Sequence, residues 1–441
     1  MAEDLAGTGG AECLPALAGA LVNPDRPLPE YPGSTPTDHE YADNLRMLRT
    51  MVEWQSCRLR PETARRHLRS GVVHDDLVPV DPVVGWNPLV LLTHALLTQI
   101  RPAKEAAVVV SMRDEGISIL EWIAHYRAVG FTGIFVYTND NTDGSDDLLR
   151  ILANHGVVTL IDNFTSGRIF PQGKAFAHSV HFLPELREYE WVLYADADEL
   201  LVPAEEYDWS IRNVLGELAS RYPERPPSAI CYHWRWFISN FEYARTEGLM
   251  LERFQHALPQ TVFKSVVRLA DVLSMRQIHL PEAVSGSCFV DSALDLIPGS
   301  FGESPGREAV WAYPGNGYRG GQLNHYWCKS FEEFLIKRQR SEDMPDPSYR
   351  RGPELFFNWN AEAKAEYRVP PPPLLLERLR HERRQLADLG GVAAAEAQIN
   401  DRFRELVDGI AGPRGAAALY DDLARRFGRA AGGDQKTEIA G

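Results

Sequence analysis

The rhythm of apolar positions changes near residue 105. Ala106-Ala107-Val108-Val109-Val110 is an apolar run closed by Ser111, the pattern of a strand buried on both faces. Ile119, Trp122, Ile123 and Tyr126 then fall at i, i+3, i+4 and i+7, which predicts a helix with one apolar face, and Gly130 is placed to stop it. Gly133–Tyr137 predicts a second strand. The turn-rich stretch Asn139–Gly144 leads to a helix carrying Leu148, Leu149 and Leu152, capped by Asp143 or Ser145. Gly156–Ile161 reads as a third strand, 172–187 as a helix weakened near Pro184, and Trp191–Ala195 as a fourth strand. Strand and helix alternate four times, which predicts a parallel sheet with right-handed crossovers.

Beyond residue 203 the pattern loosens. Ala229–Phe237 and Thr261–Arg268 alternate apolar with polar positions, so an antiparallel or mixed extension of the sheet is expected. A Gly-rich loop at 314–321 precedes Asn324 and His325, and Phe331–Arg340 reads as a basic amphipathic helix. Residues 372–430 are rich in Ala, Leu, Glu and Arg and read as helical, with a disordered tail after them. These changes divide the chain into an irregular, Pro-punctuated N-terminal extension (1–103), an α/β domain (104–345) and a helical C-terminal region (346–441).

Composition narrows the function classes. At 441 residues the chain exceeds one ordinary core, and 44% hydrophobic with 24% charged residues describes a globular protein. A net charge of −15 argues against a nucleic-acid partner, which needs a broad basic face. The five cysteines lie far apart with no CxxC spacing, which fits reduced thiols and a cytoplasmic location. No signal peptide pattern opens the chain, and the apolar stretch Pro88–Leu97 is too short to span a bilayer. Peripheral membrane contact stays open.

The chemistry concentrates at the ends of the predicted strands. Trp191–Ala195 runs into Asp196, Asp198 and Glu199 and is followed by Leu200-Leu201-Val202. Apolar flanks on both sides set this triplet apart from a solvated acidic loop. Carboxylates beyond the carboxyl end of a parallel strand suit a hard divalent cation shared with phosphate oxygens. The other strand ends carry Asp114-Glu115, Asn139-Asp140-Asn141-Thr142-Asp143 and Gln172-Gly173-Lys174, in register along the edge where a nucleotide would lie.

Val108–Glu115, Leu120–Tyr126, Val136–Gly144, Pro171-Gln172, Trp191–Glu199, Asn324-His325-Tyr326 and Lys329-Ser330 together resemble the glycosyltransferase family 2-like proteins of GT-A fold, in the bacterial subgroup with an Asp-x-Asp-Glu strand end. The resemblance covers about residues 105–340. Two departures are visible: Asp114 stands where that family usually has Asn, and Gly173 follows Gln172 where Arg is usual. The resemblance implies a nucleotide-diphosphate-sugar donor, a divalent metal (Mn²⁺ or Mg²⁺) and a GT-A, Rossmann-like, mostly parallel sheet. It implies that Asp198 ligates the metal with Asp196 as its partner, that Glu115 and Asp143 line the base and ribose pocket, although both read nearly equally as helix-cap or turn residues, and that Asp140 falls with the donor contacts. Gln172 and Lys174 fall with the donor contacts, although Lys174 reads equally as a solvated lysine in a first helical turn. His325 reads as a further metal ligand or as a hydrogen-bonded structural histidine. Lys329 and Arg338 are candidates for holding the diphosphate, Arg338 reading more naturally as helix surface.

An inverting transfer needs one carboxylate to take the proton of the acceptor hydroxyl. Glu242, after the aromatic strand 233–237, is the first candidate, with Glu199 and Asp271 behind it. Trp234 and Trp236 suit stacking on a sugar face or packing in the core. The acceptor, whether glycan, lipid or small molecule, is not readable. Two other readings remain: an Asp-nucleophile phosphoryl-transfer enzyme, which lacks the usual Thr because position 200 is Leu, and a non-catalytic nucleotide-sugar-binding protein.

Overall fold

The computed structural model describes residues 102–163, 171–275, 278–283, 287–298, 314–342, 352–361, 367–412 and 415–428. The expectations for 1–101, for Cys13 and Cys57, and for the C-terminal tail lie outside these residues.

Strand β1 (Lys104–Met112) shows why its sequence carries this apolar run. Val108 and Val110 enter one core while Ala107 and Val109 enter another on the opposite face. Helix α1 (Gly116–Ala128) leads to β2 (Gly133–Thr138), α2 (Ser145–Asn154), β3 (Thr159–Asp162), α3 (Pro171–Phe182) and β4 (Tyr189–Ala195). Both faces of β4 are covered in the same way, with Leu193 and Ala195 on the β1–α1 side and Val192 and Tyr194 on the α3 side.

A short strand that the hydrophobic pattern left unassigned follows at once, β5 (Glu199–Pro203). Then come α4 (Ile211–Arg221), β6 (Ala229–Ile238), the single turn α5 (Met250–Arg253), β7 (His256–Arg268), the short β8 (Val272–Ser274), β9 (Glu282–Ala283) and β10 (Phe289–Asp291), and β11 (Gly321–His325). Helices α6 (Phe331–Glu342), α7 (Glu354–Ala361), α8 (Pro373–Ala387), α9 (Val392–Ala411) and α10 (Gly415–Arg426) complete the described chain.

The main sheet runs β3-β2-β1-β4-β7-β6-β11-β5, with β10 on the same edge of β6 as β11. Strands β1 to β4 pair in parallel, and β7 and β5 run antiparallel to their neighbours. This is the mixed α/β sheet expected from the sequence, parallel in its first half and mixed in its extension.

A third, aromatic core joins α6 to the C-terminal helices. Phe331, Phe334, Phe356, Phe357 and Tyr420 pack together with Phe241 and Trp327. Helix α6 therefore shares its core with α7 and α10, across the boundary that composition suggests at 345/346. No helix among the described residues is long and apolar enough to cross a membrane. Cys231, Cys288 and Cys328 are free thiols.

Candidate functional site

The turn after β4 closes on itself. The Glu199 N–H donates to the Asp196 carbonyl at 3.1 Å, and the Asp196 N–H donates to Glu199 Oε2 at 2.8 Å. Helix α1 holds the turn from beneath: Trp122 Nε1 donates to the Asp196 carbonyl at 3.1 Å and the Tyr126 hydroxyl to the Glu199 carbonyl at 3.1 Å. The apolar stripe of α1 thus carries polar tips that reach the carbonyls of this turn.

The chain then reverses into β5, which pairs antiparallel with β11 so that Glu199 lies opposite His325. That register brings His325 Nε2 to 3.6 Å from Asp198 Oδ1. The imidazole sits against Trp234, ring centroids 4.3 Å apart, and stacks more distantly on Trp236 at 6.4 Å. Here both tryptophans act as walls for the histidine. Its Nδ1 is buried without a hydrogen-bond partner.

The three acids of the turn have different surroundings. Asp196 accepts from Gln172 and pairs with the fully buried Lys264, Nζ to Oδ1 at 2.8 Å. Burial opposes ionisation of Asp196, but the Lys264 ammonium outweighs it and holds the pKa below the ordinary value. Asp198 pairs with Lys337 and faces His325. Burial again opposes ionisation, and Lys337 followed by His325 drives the pKa well below normal. Glu199 is fully buried, and burial followed by the charge of Asp196 pushes its pKa well above the carboxylate range. Its Oε1 has no hydrogen-bond partner.

The end of β1 meets the same space. Glu115 accepts from Arg340 at 2.6 Å and lies 3.4 Å from Lys329 Nζ, which also donates to Ser118 Oγ at 2.8 Å. Burial works against the Glu115 charge, and Arg340 and Lys329 overcome it, so its pKa is lowered. Asp114, Asp140 and Lys329 all adopt left-handed backbone angles (φ 51°, 49° and 48°). Such angles are uncommon for residues with side chains, above all for Lys, and gather where a loop is held for a purpose.

Asp143 is committed to the scaffold. Its Oδ2 accepts from the Gly116 N–H at 2.7 Å, and its Oδ1 from the Ser145 N–H at 2.9 Å and the Ser145 hydroxyl at 2.5 Å. It thus ties the first turns of α1 and α2 together, and the N-cap position of α2 falls on Gly144 (φ 90°). Asp140 is exposed at the loop tip and Lys174 is buried.

The carboxyls expected to act as base are not placed for it. Glu242 Oε1 accepts from Arg253 at 3.0 Å and from the Thr246 hydroxyl at 2.7 Å, which leaves it part of an ion-pair network with Glu333. Glu199 is fully buried and accepts the Asp196 N–H, so it closes the turn. Asp271 is bridged to Arg268 at 2.5 Å.

Three cations escaped the sequence reading. Lys264 interrupts an apolar strand between Phe263 and Val266, a signal that a buried partner must exist. Lys337 and Arg340 lie on α6 with Glu333 at spacings of four and three, the face turned to the site, whereas Arg338 of the same helix reads from sequence as helix surface. Asp114, Glu115, Asp198, Lys329, Lys337 and Arg340 line one pocket, which Ile399 and Phe403 of α9 cover.

Among the described residues no group of three or more His, Cys, Asp or Glu side chains is spaced to hold a metal alone. Asp198 and His325 offer two ligands, separated by a gap too long for a hydrogen bond. That set fits a divalent cation whose remaining ligands are substrate oxygens and water.

A search of curated protein sequences finds no match. Among solved structures, the chain is similar to a mycobacterial protein (16% identity, 34% of this chain and 46% of that chain, TM-score 0.22). It is also similar to residues 1–349 of TarS from S. aureus (10% identity, 74% and 92%, TM-score 0.27). A third is glucosyl-3-phosphoglycerate synthase from Mycobacterium tuberculosis, solved with Mn²⁺, uridine diphosphate and glucosyl-3-phosphoglycerate (15% identity, 36% and 51%, TM-score 0.21). Residues 114–295 match the sequence model of glycosyltransferase family 92, where the motifs had pointed to family 2. The matched stretch, less than half of the chain, is similar to that glycosyltransferase family and carries Asp114, Glu115, Asp143, Asp196 and Asp198.

Proposed function

We propose that this chain moves a sugar from a nucleoside-diphosphate-sugar to a hydroxyl of a glycan, lipid or small-molecule acceptor, with a divalent cation, Mn²⁺ or Mg²⁺, held between Asp198 and His325. The observation that carries the reading is the β5–β11 register, which sets His325 beside Asp198 at the sheet edge where three cations also gather. When bound there, the metal would neutralise the charge that develops on the leaving diphosphate.

The chain's own residues supply the rest. Lys329, Lys337 and Arg340 form the positive wall for the diphosphate. Glu115, with the Asn141–Thr142 loop that Asp114 holds, offers the floor for the ribose and base. Asp196 and Gln172 hold the donor side of the turn, with Lys264 keeping Asp196 ionised. Lys174, buried behind them, supports the phosphate side. The strained angles at Asp114, Asp140 and Lys329 support a rim held in place before the donor binds. The order of the strand-end motifs supports kinship with family 2-like enzymes and an inverting course.

The test is donor turnover across a panel of sugar nucleotides with and without Mn²⁺, in the native chain and in Asp198→Asn and His325→Gln. Both variants should lose at least 100-fold in metal-dependent turnover, the scale of removing one electrostatic stabiliser of the transition state. Asp198→Asn turning over at the native rate would sink the proposal. NMR of the product anomeric centre reads the stereochemical course.

A further inference from the structure

Asp196 and Asp198 each hold a lysine, and the two lysines are not equivalent. Lys264 springs from β7, is fully buried and has nowhere else to go. Lys337 springs from α6, and its side chain remains 21% exposed. Its ammonium also donates to the Trp327 carbonyl at 3.1 Å and lies 4.8 Å from the centre of the Trp327 ring. Those contacts give Lys337 a resting place that does not depend on Asp198.

Resting on the proposed donor reading, we infer that Lys337 is a tethered cation that occupies Asp198 until the donor arrives and then moves onto the diphosphate. The metal and the nucleotide therefore take Asp198 together. A divalent cation between Asp198 Oδ1 and His325 Nε2 would share one carboxylate with the Lys337 ammonium. Two cations so close repel, and metal alone must work against that repulsion. The other cations of this wall, Lys329 and Arg340, are already engaged with Glu115. Lys337 is thus the group that loses its acid when the metal enters, and the diphosphate is the anion that replaces it. Coupling of this kind is reciprocal: the nucleotide tightens the metal by the factor by which the metal tightens the nucleotide.

The experiment measures Mn²⁺ binding, by calorimetry and by the free-ion EPR signal, to the full chain without nucleotide and with uridine diphosphate as the probe. It compares the native protein with Lys337→Met and Lys337→Arg. Lys337→Met should bind Mn²⁺ alone at least tenfold more tightly than the native chain. It should bind uridine diphosphate without metal at least tenfold more weakly. Lys337→Arg, which keeps the charge, should stay within threefold of native in both. If Lys337→Met binds Mn²⁺ alone no more tightly than the native chain, the exchange is refuted. Lys337→Gln, which can still donate to the Trp327 carbonyl, gives the same comparison if circular dichroism shows the Met variant unfolded. Asp198→Asn separates the two levels: if it retains native Mn²⁺ binding in the presence of uridine diphosphate, the metal reading itself falls.

Discussion

The Asp196–Lys264 pair supplies the most decisive perturbation. Lys264 is fully buried, while the Asp196 side chain is 26% exposed, and the two approach to 2.8 Å. At an effective dielectric constant of about 20, unit charges at that distance attract by about 6 kcal/mol. Desolvating the pair takes back several kcal/mol, so its net contribution is small. Removing Asp196 alone is different, because it strands an ammonium group inside the sheet. Asp196→Ala should therefore cost about 3–5 kcal/mol, a large part of a typical folding free energy. For a chain of this size that corresponds to a melting temperature lower by on the order of 5 °C. Replacing both members, Asp196→Ala with Lys264→Met, removes the stranded charge and should recover most of the stability. Donor binding should stay impaired, because the turn has lost its carboxylate. The assay is thermal and urea unfolding of the two single variants and the double variant, read as a mutant cycle. The reasoning fails if Asp196→Ala melts within a degree of the native protein, or if the double variant is no more stable than Asp196→Ala.

Three further outcomes follow from buried groups. Glu121 is buried, and burial pushes its pKa to about 7 even though it accepts the Met250 N–H at 2.6 Å. A raised folded pKa means stability is lost as pH climbs from about 4.5 through 7, so Glu121→Gln should gain about 2 kcal/mol at pH 8 and nothing at pH 4, measured by urea unfolding. For Glu333, burial opposes ionisation, but Arg253 at 2.6 Å, Lys329 and Ser330 pull the pKa down to about 2. That depressed pKa contributes stability above pH 4.5 and loses it as pH falls to 2; Glu333→Gln should cost about 3 kcal/mol at pH 7 and flatten the acid limb of the stability curve. A methyl group on Gly116 would lie 2.8 Å from both Asp143 Oδ2 and Ile399 Cγ2. Gly116→Ala should lower stability by about 1–3 kcal/mol and weaken nucleotide binding, which differential scanning fluorimetry with and without uridine diphosphate would show.

Much of the parallel half of the fold was legible in the chain. The apolar runs at 106–110 and 191–195 read as strands buried on both faces, and the i, i+3, i+4, i+7 spacing from Ile119 gives a helix that covers one of those faces. The acids at the strand ends were legible for the same reason: carboxylates that interrupt a buried pattern need a partner. Period and composition act over a few neighbouring residues, and these features are local.

What the sequence could not carry is who the partner is. Asp196, Asp198 and Glu199 read as one acidic triplet, yet the fold gives them a buried lysine, a partly exposed lysine with a histidine, and, for Glu199, no ion-pair partner among the described residues. Those assignments depend on residues 68 to 139 positions away, brought in by β7, α6 and the antiparallel β5–β11 register. Likewise Asp143 and Glu242 carry the charge that a functional carboxylate needs, but tertiary packing spends one on two helix starts and the other on Arg253. The sequence by itself determined the parallel half of the sheet and the edge where chemistry gathers, because those follow from local burial patterns. Only the tertiary structure decided which carboxylate keeps an exchangeable cation, because charge pairing acts through space between strands that the chain order keeps far apart.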